Sequence, residues 1–385
     1  MATCKLYEQN AEQYRFDAVV TGCWQEKETA DGWRITLDKT AFFPEGGGQP
    51  ADHGTLGGRQ VSDVHERDGE VIHYTNGPLE VGSHVEGCVD EQRRRDLTTQ
   101  HSGEHIVSGL ICSTYGYNNV GFHLGGEVIT IDFDGELTAE QAAEIEQMAN
   151  DYIREDKEAE ILLPATEELD GIAYRSKKEL SGQVRIVRFP GADTCACCGT
   201  HVRRAGQVRL VKLLSVQKFR SGCRIEMLAG ERAIRYLDRM MEQNRQISRL
   251  LSAKPMETAA AVARLMDEAA DLKAQIYALQ EQQFDSIAKA HAGADKAVVM
   301  MDKLDAVAVR RLCVALMEQC SGMCAVFSGE DGAGYKYALG KADSDIRSEV
   351  KAMNNALQGR GGGKDAFFAQ GSVQASKEEI LQYFA

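Results

Sequence analysis

Two short segments of this 385-residue chain carry potential metal ligands in pairs with the same spacing. They are HSGEH (residues 101–105) and CCGTH (residues 197–201). Residues four apart on a helix share one face, so His101 and His105 could bind one ion. Three imidazole nitrogens and one thiolate form a donor set typical of tetrahedral zinc. If both segments serve one site, any fold of this chain must bring them together.

Spacing alone leaves other interpretations open. The metal could be a purely structural zinc, or the two pairs could be unrelated, with packed histidines and buried cysteines. Cys195, Cys197 and Cys198 compete as the thiolate. Only Cys197 stands four residues before His201, but Cys195 could take its place if this segment is an open loop.

The length of the chain exceeds what one hydrophobic core usually supports, so two to four domains are expected. No run of about eighteen apolar residues occurs, and the N-terminus lacks the apolar core of a secretory signal. These features predict a cytoplasmic protein without a membrane partner. The cysteine count is odd, at 11, which agrees better with reduced thiols than with a disulfide framework.

The net charge of −14 argues against a nucleic-acid partner, but residues 171–224 have the opposite balance, with 12 basic and 2 acidic residues. This basic segment surrounds the second ligand pair, which suggests a surface for a polyanion. The alternative is that the charges only solvate one face of a sheet. Its basic residues are Arg175, Lys177, Lys178, Arg185, Arg188, Arg203, Arg204, Arg209, Lys212, Lys218, Arg220 and Arg224.

The pattern of the chain predicts an α+β protein with several domains. Residues 1–90 contain short strands separated by glycine-rich and polar turns, which favours a small antiparallel barrel or sandwich. Their longest loop contains Gly46, Gly47, Gly48 and Gln49. Consecutive glycines let the backbone approach a ligand closely, although a turn between strands needs no ligand. Residues 91–230 mix helices and strands and hold both ligand pairs, the first of them on a helix.

The remainder of the chain is predicted to be a helical linker and an α/β domain. Residues 231–291 form two helical stretches, with apolar residues at 3-4 spacing from Leu265 to Ile287 that permit a homodimer. Residues 292–385 alternate strands and helices and include QGRGGGK (358–364). Arg360 and Lys364 flank its glycines, which suits phosphate binding; a tight turn without a ligand is the alternative.

Together these motifs resemble the free-standing alanyl-tRNA editing proteins of the AlaX type, in their long form. FFPEGGGQP (42–50) is similar to the Gly-Gly-Gln loop of alanyl-tRNA synthetase, and HSGEH with CCGTH matches the zinc motif of its editing domain. Residues 224–233 resemble the end of that domain, and residues 359–372 resemble the glycine-rich signature of the DHHA1 domain. The resemblance implies a β-barrel, a zinc-binding editing domain, a helical linker and a DHHA1-type tRNA-binding domain.

The resemblance also implies an activity, the hydrolysis of the ester that joins a wrong amino acid to tRNA(Ala). Serine is the main amino acid expected, and glycine is the second. The loop at Gly46, Gly47 and Gly48 is placed where related proteins distinguish serine from alanine, Gln49 closes that motif, and His123 is placed in the pocket. Carried over to this chain, the Zn²⁺ ligands are His101, His105, Cys197 and His201.

One position departs from the family pattern, because Glu104 stands where synthetase editing domains often carry Thr. Glu104 is the nearest candidate general base, but it could instead form an ion pair with residues 93–95. Four protein ligands complete a zinc tetrahedron, which ordinarily marks a structural site. Two other functions therefore stay open: a tRNA-binding module with structural zinc, and editing of a Thr-specific tRNA. A DHH-type phosphoesterase is disfavoured, since the chain contains no Asp-His-His triplet.

Overall fold

A computed structural model describes residues 2–26, 32–169, 171–176 and 184–385. Helices and strands are mixed over these residues, so the predicted α+β class is confirmed. The chain divides into two compact units, Met1–Arg245 (unit 1) and Gln246–Ala385 (unit 2). The finer domain boundaries at residues 90, 230 and 291 stay predictions.

The first part of unit 1 is a closed barrel. Six strands join in the order β2-β3-β7-β6-β5-β8, and every pairing is antiparallel. Alternate residues of β2, namely Phe16, Ala18 and Val20, are buried in its core. The elements of this part are β1 (Cys4–Lys5), α1 (Leu6–Gln9), β2 (Arg15–Gln25), β3 (Trp33–Leu37), β4 (Lys39–Thr40), β5 (Gly54–Leu56), β6 (Arg59–Arg67), β7 (Glu70–Thr75) and β8 (His84–Val89).

The second part of unit 1 is built around one long helix, α2. Asp90 caps its start by accepting a hydrogen bond from Arg93 N, and Gly116 ends it in the left-handed conformation. Every residue of α2 from Gln100 to Ile111 is buried. The elements here are α2 (Glu91–Tyr115), β9 (Asn119–Leu124), β10 (Ile129–Phe133), α3 (Ala139–Glu155), β11 (Glu160–Leu162), α4 (Thr166–Leu169), β12 (Ile186–Phe189), β13 (Asp193–Ala196), β14 (Val211–Phe219) and β15 (Gly222–Ala229).

Two sheets pack against α2, with strand orders β14-β15-β10-β9 and β11-β12-β13. Glycine allows the close approach of the second sheet. A Cβ atom at Gly109 would lie 2.3 Å from Ala192 O and 2.5 Å from Asp193 Cβ. Because the helix and the start of β13 nearly touch here, Asp193 comes within hydrogen-bonding distance of α2.

A buried ion pair fixes the glycine-rich loop between β4 and β5 to the same helix. Asp52 accepts a hydrogen bond from Phe43 N at 2.6 Å, and the Arg94 guanidinium of α2 binds the Asp52 carboxylate. Arg94 also donates to Ala41 O. Both charged side chains are fully buried, where breaking such a pair is strongly destabilising. The loop that carries Gly46 to Gln49 is therefore held rigidly beside α2.

Unit 2 has one five-stranded sheet, in the order β16-β17-β18-β20-β19. Leu312 and Leu316 of α7 belong to the core cluster on one side, and Val350 and Ile380 belong to a second cluster. None of the helices in the described part of the chain is long and apolar enough to cross a bilayer. The elements are α5 (Gly230–Leu250), which begins in unit 1, and α6 (Thr258–Ala290), β16 (Lys296–Met301), α7 (Ala306–Met317), β17 (Met323–Glu330), β18 (Gly334–Gly340), α8 (Arg347–Ala356), β19 (Arg360–Gly362), β20 (Phe368–Val373) and α9 (Lys377–Phe384).

Candidate metal centre

The two predicted ligand pairs meet in unit 1. The candidate donor atoms of His101, His105, Cys197 and His201 all lie within 4.8 Å of one another. Cys197 Sγ is 3.5 Å from His101 Nε2 and 3.4 Å from His201 Nε2. With zinc bonds of about 2.0–2.1 Å to nitrogen and about 2.3 Å to sulfur, a tetrahedron separates these atoms by about 3.6 Å. The arrangement therefore fits one four-coordinate metal ion.

The loop that supplies Cys197 and His201 is held by a buried arginine. Arg185 Nη1 donates to Cys197 O at 2.7 Å and to Gly199 O at 3.0 Å, and Cys197 N donates to Arg185 O at 3.0 Å. Gly199 has no room for a side chain, because a Cβ atom there would lie 2.2 Å from His101 Cε1. The glycine of the CCGTH motif thus allows the loop to close on α2.

Each ligand histidine has its outer nitrogen beside a polar partner. Such a contact fixes the ring and directs the other nitrogen towards a metal. Sequence reasoning missed two of these partners, Ser102 and Asp193. The contacts of the Nδ1 atoms are His101 with Gln49 Oε1 at 2.9 Å, His105 with Asp193 Oδ2 at 2.9 Å, and His201 with Ser102 Oγ at 3.2 Å.

Gln49 is a positioning residue rather than a group that faces the metal. Its Oε1 atom contacts His101 Nδ1 and accepts from Thr200 N at 3.2 Å, while its Nε2 atom donates to Thr200 Oγ at 2.9 Å. Thr200 Oγ lies 2.7 Å from Thr98 Oγ. Gln49 is fully buried, so its amide links the glycine-rich loop to both ligand segments.

The surroundings of the three competing cysteines single out Cys197 as the thiolate. Burial acts to raise the pKa of Cys197, but the neighbouring imidazoles of His101, His105 and His201 hold it well below its ordinary value. Burial instead raises the pKa of Cys195 to about 12 and also raises that of Cys198. Only Cys197 combines the right position with a stabilised anion, which is the form that binds metals.

The charges around the cluster favour a cation. Burial acts to raise the pKa of Asp193, but His105 and Arg175 lower it below its usual range. Arg175 donates to the Asp193 carboxylate from Nε at 2.8 Å and from Nη2 at 2.9 Å. Burial opposes protonation of His105, yet the Cys197 thiolate and Asp193 raise its pKa to about 9. Positive charge is thus stabilised beside Cys197, where a metal ion would replace the proton.

Glu104 lies against the cluster. Its side chain is fully buried, Oε1 accepts from Ser108 Oγ and Asn119 Nδ2, both at 2.6 Å, and Oε2 is 4.0 Å from His105 Nε2. The alternative of an ion pair with residues 93–95 is wrong, because Glu104 points into the buried side of α2. Its position keeps it a candidate general base.

His123, by contrast, does not line the cluster. Its side chain is exposed, whereas the ring of the preceding residue, Phe122, stacks on His101 with centroids 5.1 Å apart and planes at 25°. Successive residues of a strand point to opposite faces, so only one of the two can face the ligands. A Cβ atom on Gly48 would lie 2.6 Å from the Phe122 ring. Phe122 and the glycine-rich loop therefore meet beside the cluster.

The basic segment does not form the expected polyanion surface within the described residues. Lys177 and Lys178 lie outside those residues, and Arg185 is committed to the ligand loop. Most of the others are neutralised, which favours the alternative that they solvate sheet faces. The ion pairs are Arg175–Asp193, Arg188–Glu160, Arg204–Asp156, Arg209–Glu231, Lys212–Glu146, Lys218–Glu136 and Arg224–Asp132.

A cavity of about 730 Å³ lies beside the ligand loop in unit 1. His201 and Thr98 form part of its wall, and Tyr14 and Arg95 form another part. The Arg95 guanidinium carbon lies 5.6 Å from the centre of the Tyr14 ring. An aromatic ring beside a cation is a surface on which a nucleic-acid base can stack.

The predicted phosphate-binding residues belong to unit 2. Arg360 starts the edge strand β19 and lines a groove of about 420 Å³ together with Lys351 and Gly361–Gly363. Lys364 follows this strand and is exposed, but it is not part of the groove wall. Arg360 and Lys351 form no ion pair within the described residues, in contrast to the basic segment of unit 1.

Two family models match parts of unit 1. One, described as "Threonyl and Alanyl tRNA synthetase second additional domain", matches residues 184–226, which include Cys197 and His201. The other, "tRNA synthetases class II (A)", matches residues 5–93. The first ligand pair, His101 and His105 of α2, lies between the two matched ranges along the chain.

The curated proteins that this chain resembles in sequence include alanyl-tRNA editing proteins and alanine–tRNA ligases. Alanyl-tRNA editing protein Aarsd1-B of Xenopus laevis is 34% identical over 245 residues, which cover 62% of this chain and 60% of that protein. The Aarsd1 protein of Rattus norvegicus is 32% identical, covering 64% and 61% respectively. Alanine–tRNA ligase of Halorubrum lacusprofundi is 30% identical over 98% of this chain and 44% of the ligase. The chain thus spans about three fifths of the length of the editing proteins.

Among solved structures, the C-Ala domain of Aquifex aeolicus alanyl-tRNA synthetase aligns with 24% of this chain and 89% of that domain, at 17% identity. The TM-score is 0.21, which supports no structural conclusion. The two family models cover the segments that hold two of the motifs, FFPEGGGQP and CCGTH. This chain is a homologue of the alanyl-tRNA editing proteins and of part of alanine–tRNA ligase.

Proposed function

We propose that the protein deacylates mischarged tRNA(Ala), acting on tRNA charged with serine and, second, with glycine. The main support for this proposal is the cluster of four donor residues beside Gly48 and Phe122, in a chain whose relatives are named alanyl-tRNA editing proteins. The substrate ester is already activated. Positioning of a water molecule and stabilisation of the developing oxyanion can therefore supply much of the acceleration.

The proposed metal is Zn²⁺, held by His101, His105, Cys197 and His201. The separations between Cys197 Sγ and two Nε2 atoms match zinc bond lengths, and a mixed set of nitrogen and thiolate donors is typical of zinc. If its coordination expands to five or one protein ligand leaves, a bound zinc ion would polarise the ester carbonyl or a water molecule. Four protein donors fill a tetrahedron, so the ion would also order the pocket wall around His101.

Three groups of this chain are proposed to act on the substrate. Glu104 takes a proton from the attacking water, since its carboxylate is the one that lies 4.0 Å from His105 Nε2. Gly47 and Gly48 are exposed, and their N–H groups donate to no backbone carbonyl among the described residues. These N–H groups can bind the serine hydroxyl or the oxyanion. Phe122 forms the apolar wall opposite them.

The tRNA is proposed to bind at two further places. The cavity next to His201 would hold the terminal nucleotide, with its base against Tyr14 and Arg95. In unit 2, Arg360, Lys351 and Lys364 would contact phosphates of the tRNA body, because they are exposed or line the groove and have no described ion-pair partner.

Deacylation of one tRNA(Ala) preparation, charged separately with serine, glycine or alanine, tests the proposal. Serine should be released at least about a hundredfold faster than alanine, because a site that binds a substrate hydroxyl rejects the analogue that lacks it. His105→Ala should abolish this release, and His123→Ala should not. Equal rates with serine and alanine would contradict the proposal.

A second candidate function is a tRNA-binding module in which zinc is only structural. One observation favours it: the four protein donors leave no open position in a tetrahedron. Wild-type protein that binds tRNA(Ala) tightly but releases none of the three amino acids would support this candidate and exclude deacylation.

A further inference from the structure

Two series of hydrogen bonds lead from the ligand histidines to one residue of α2, Thr98. The first series starts at His201, whose Nδ1 atom lies 3.2 Å from Ser102 Oγ. Ser102 Oγ donates to Thr98 O at 2.8 Å and accepts from Val202 N at 3.0 Å. Because the single proton of this hydroxyl is used, His201 Nδ1 must carry the proton that joins the two groups. His201 Nε2, 3.4 Å from Cys197 Sγ, is then left as the ligand atom.

The second series starts at His101. Gln49 Oε1 accepts from Thr200 N, which identifies this atom as the amide oxygen, so its 2.9 Å contact places a proton on His101 Nδ1. Gln49 Nε2 donates to Thr200 Oγ at 2.9 Å. Thr200 is only 1% exposed, and among the described residues its hydroxyl has one further partner, Thr98 Oγ at 2.7 Å. The Thr200 hydroxyl proton is therefore donated to Thr98.

These directions leave the hydroxyl proton of Thr98 without an acceptor. Thr98 Oγ accepts from Thr200, and within the described part of the chain it has no other hydrogen-bond partner. Thr98 forms part of the wall of the 730 Å³ cavity next to His201, and 7% of its surface is exposed. A nearly buried hydroxyl proton is costly to leave unpaired, so we expect a molecule in the cavity to supply an acceptor.

The charges of the cavity wall indicate which part of a tRNA suits this acceptor position. The wall contains three arginines and four carboxylates. A phosphate needs an available cation, whereas a nucleoside offers neutral ribose oxygens and base edges. Each arginine is already paired with a carboxylate of the wall, Arg95 with Glu91 at 2.6 Å, Arg209 with Glu231 at 2.9 Å and Arg235 with Glu231 at 4.0 Å. The wall therefore favours a nucleoside over a phosphate.

We propose that the Thr98 hydroxyl donates a hydrogen bond to the ribose or base of the 3′-terminal nucleoside of the tRNA, and that Thr98 thereby couples the occupied cavity to the metal ligands. The inference rests on the proposed function in one respect, the placement of the terminal nucleotide in this cavity. Hydrogen bonds in a series strengthen one another, so an acceptor for Thr98 strengthens the bond from His101 Nδ1 to Gln49. A more strongly hydrogen-bonded imidazole is a more basic metal ligand. The nucleoside and the metal should therefore each increase the affinity for the other.

The contact with the nucleoside is tested by the binding of two uncharged RNAs to the full chain: tRNA(Ala), and the same tRNA without its 3′-terminal nucleotide. The wild type should bind the intact tRNA more tightly. Thr98→Val removes only the hydroxyl, so it should weaken binding of the intact tRNA by about threefold to tenfold and leave binding of the truncated tRNA unchanged. Thr98→Ser should restore the wild-type value. Thr114→Val makes the same change at an exposed residue of α2 outside the cavity wall and should alter neither affinity.

Two results would overturn the inference: a wild type that binds both tRNAs equally, or a Thr98→Val variant that still prefers the intact tRNA by the wild-type factor. Release of serine from charged tRNA(Ala), measured on the same samples, keeps this test separate from the proposed function. Serine release without any preference for the intact tRNA would contradict only the role of the cavity and Thr98. A normal preference without serine release would contradict only the deacylase.

Zinc affinity measures the coupling in the wild type itself. In competition with a chromogenic chelator, zinc should bind about fivefold more tightly in the presence of saturating intact tRNA than in the presence of saturating truncated tRNA. Thr98→Val should abolish this difference, and Thr98→Ser should keep it. A difference that persists in Thr98→Val would show that the nucleoside affects the metal site by another route, and would overturn the role of Thr98.

Discussion

The metal centre in unit 1 and the candidate RNA-binding groove in unit 2 use charged residues in opposite ways. His101, His105 and His201 are almost fully buried, and each has a polar partner on its outer nitrogen. Arg360 and Lys351 stand at an open groove without a described ion-pair partner. Chemistry requires ligands fixed to fractions of an ångström, whereas phosphate binding tolerates side chains that adapt.

The contrast also separates two kinds of basic residue. The segment around Cys197 is rich in arginine and lysine, but seven of these side chains are paired with carboxylates. The glycine-rich turn of unit 2 has few cations, and they are available. Availability, rather than number, distinguishes the two regions. Substitutions at the metal cluster of unit 1 should therefore change metal binding and hydrolysis, and those at the groove of unit 2 should change tRNA affinity alone.

The largest effect is expected from the ligand thiolate. Cys197→Ser should lose bound zinc on dialysis and reduce deacylation by more than about a hundredfold, since even an outer partner of a ligand contributes tenfold to a hundredfold to affinity. Cys198→Ser is the matched control, because Cys198 is the exposed neighbour outside the cluster. Metal content and initial rates measure both. Zinc retained by Cys197→Ser would show that another thiol is the ligand.

Gln49→Ala should weaken zinc binding by about tenfold to a hundredfold, because His101 then loses the contact that orients its ring. The exposed Gln60 of the same barrel supplies the control, Gln60→Ala. Competition with a chromogenic chelator measures both affinities. An unchanged affinity in Gln49→Ala would mean that the glycine-rich loop is not coupled to the metal centre.

The glycine-rich loop offers a pair of variants that differ in one contact. Gly47 and Gly48 both have positive φ, at 60° and 86°, so alanine costs each about 1–2 kcal/mol in backbone energy. A Cβ atom at Gly47 meets nothing within 4 Å, but at Gly48 it would meet the Phe122 ring. Gly48→Ala should lower the serine-to-alanine rate ratio by about tenfold, a typical value for one misplaced pocket wall. Equal effects of both variants would exclude Phe122 from specificity.

The smallest effect is expected in unit 2. Arg360→Ala should weaken tRNA binding by about threefold and reduce the salt dependence of binding by about one ion, without changing zinc content. Lys289→Ala is a suitable control, because Lys289 is exposed but already paired with Asp285. Binding titrations at several salt concentrations give both quantities. Loss of zinc from Arg360→Ala would contradict the claim that the groove of unit 2 contributes to tRNA binding and not to metal binding.

Local chemistry was predictable from the sequence. The spacing of HSGEH and CCGTH identified four residues that the structure brings together, and helical periodicity placed the first pair on α2. Strand β9 went unpredicted, because Asn119 to Leu124 is short and has Gly121 in its middle. From the sequence, only His123 was predicted to line the pocket, and without that strand nothing indicated that Phe122 faces the ligands instead, since a shift of one residue exchanges the two faces.

The hydrogen-bonding partners of the ligand histidines could not be predicted from the sequence, for a different reason. Gln49 and Ser102 lie 52 and 99 residues from the histidines they contact, and such pairings depend on tertiary packing. Ser102 and Thr200 could have been suspected, because each lies inside a ligand motif. Asp193 stands outside both motifs, and no sequence signal connects it with His105. Its approach depends on the close contact at Gly109.

The most direct test of the central claim is the rate of serine release from tRNA(Ala) by one protein sample in three states: as purified, stripped of metal, and reloaded with zinc. Alanine release from the same tRNA is measured in parallel. The account predicts that metal removal abolishes the preference for serine and that one equivalent of zinc restores it. Serine release that persists in fully stripped, folded protein would contradict it.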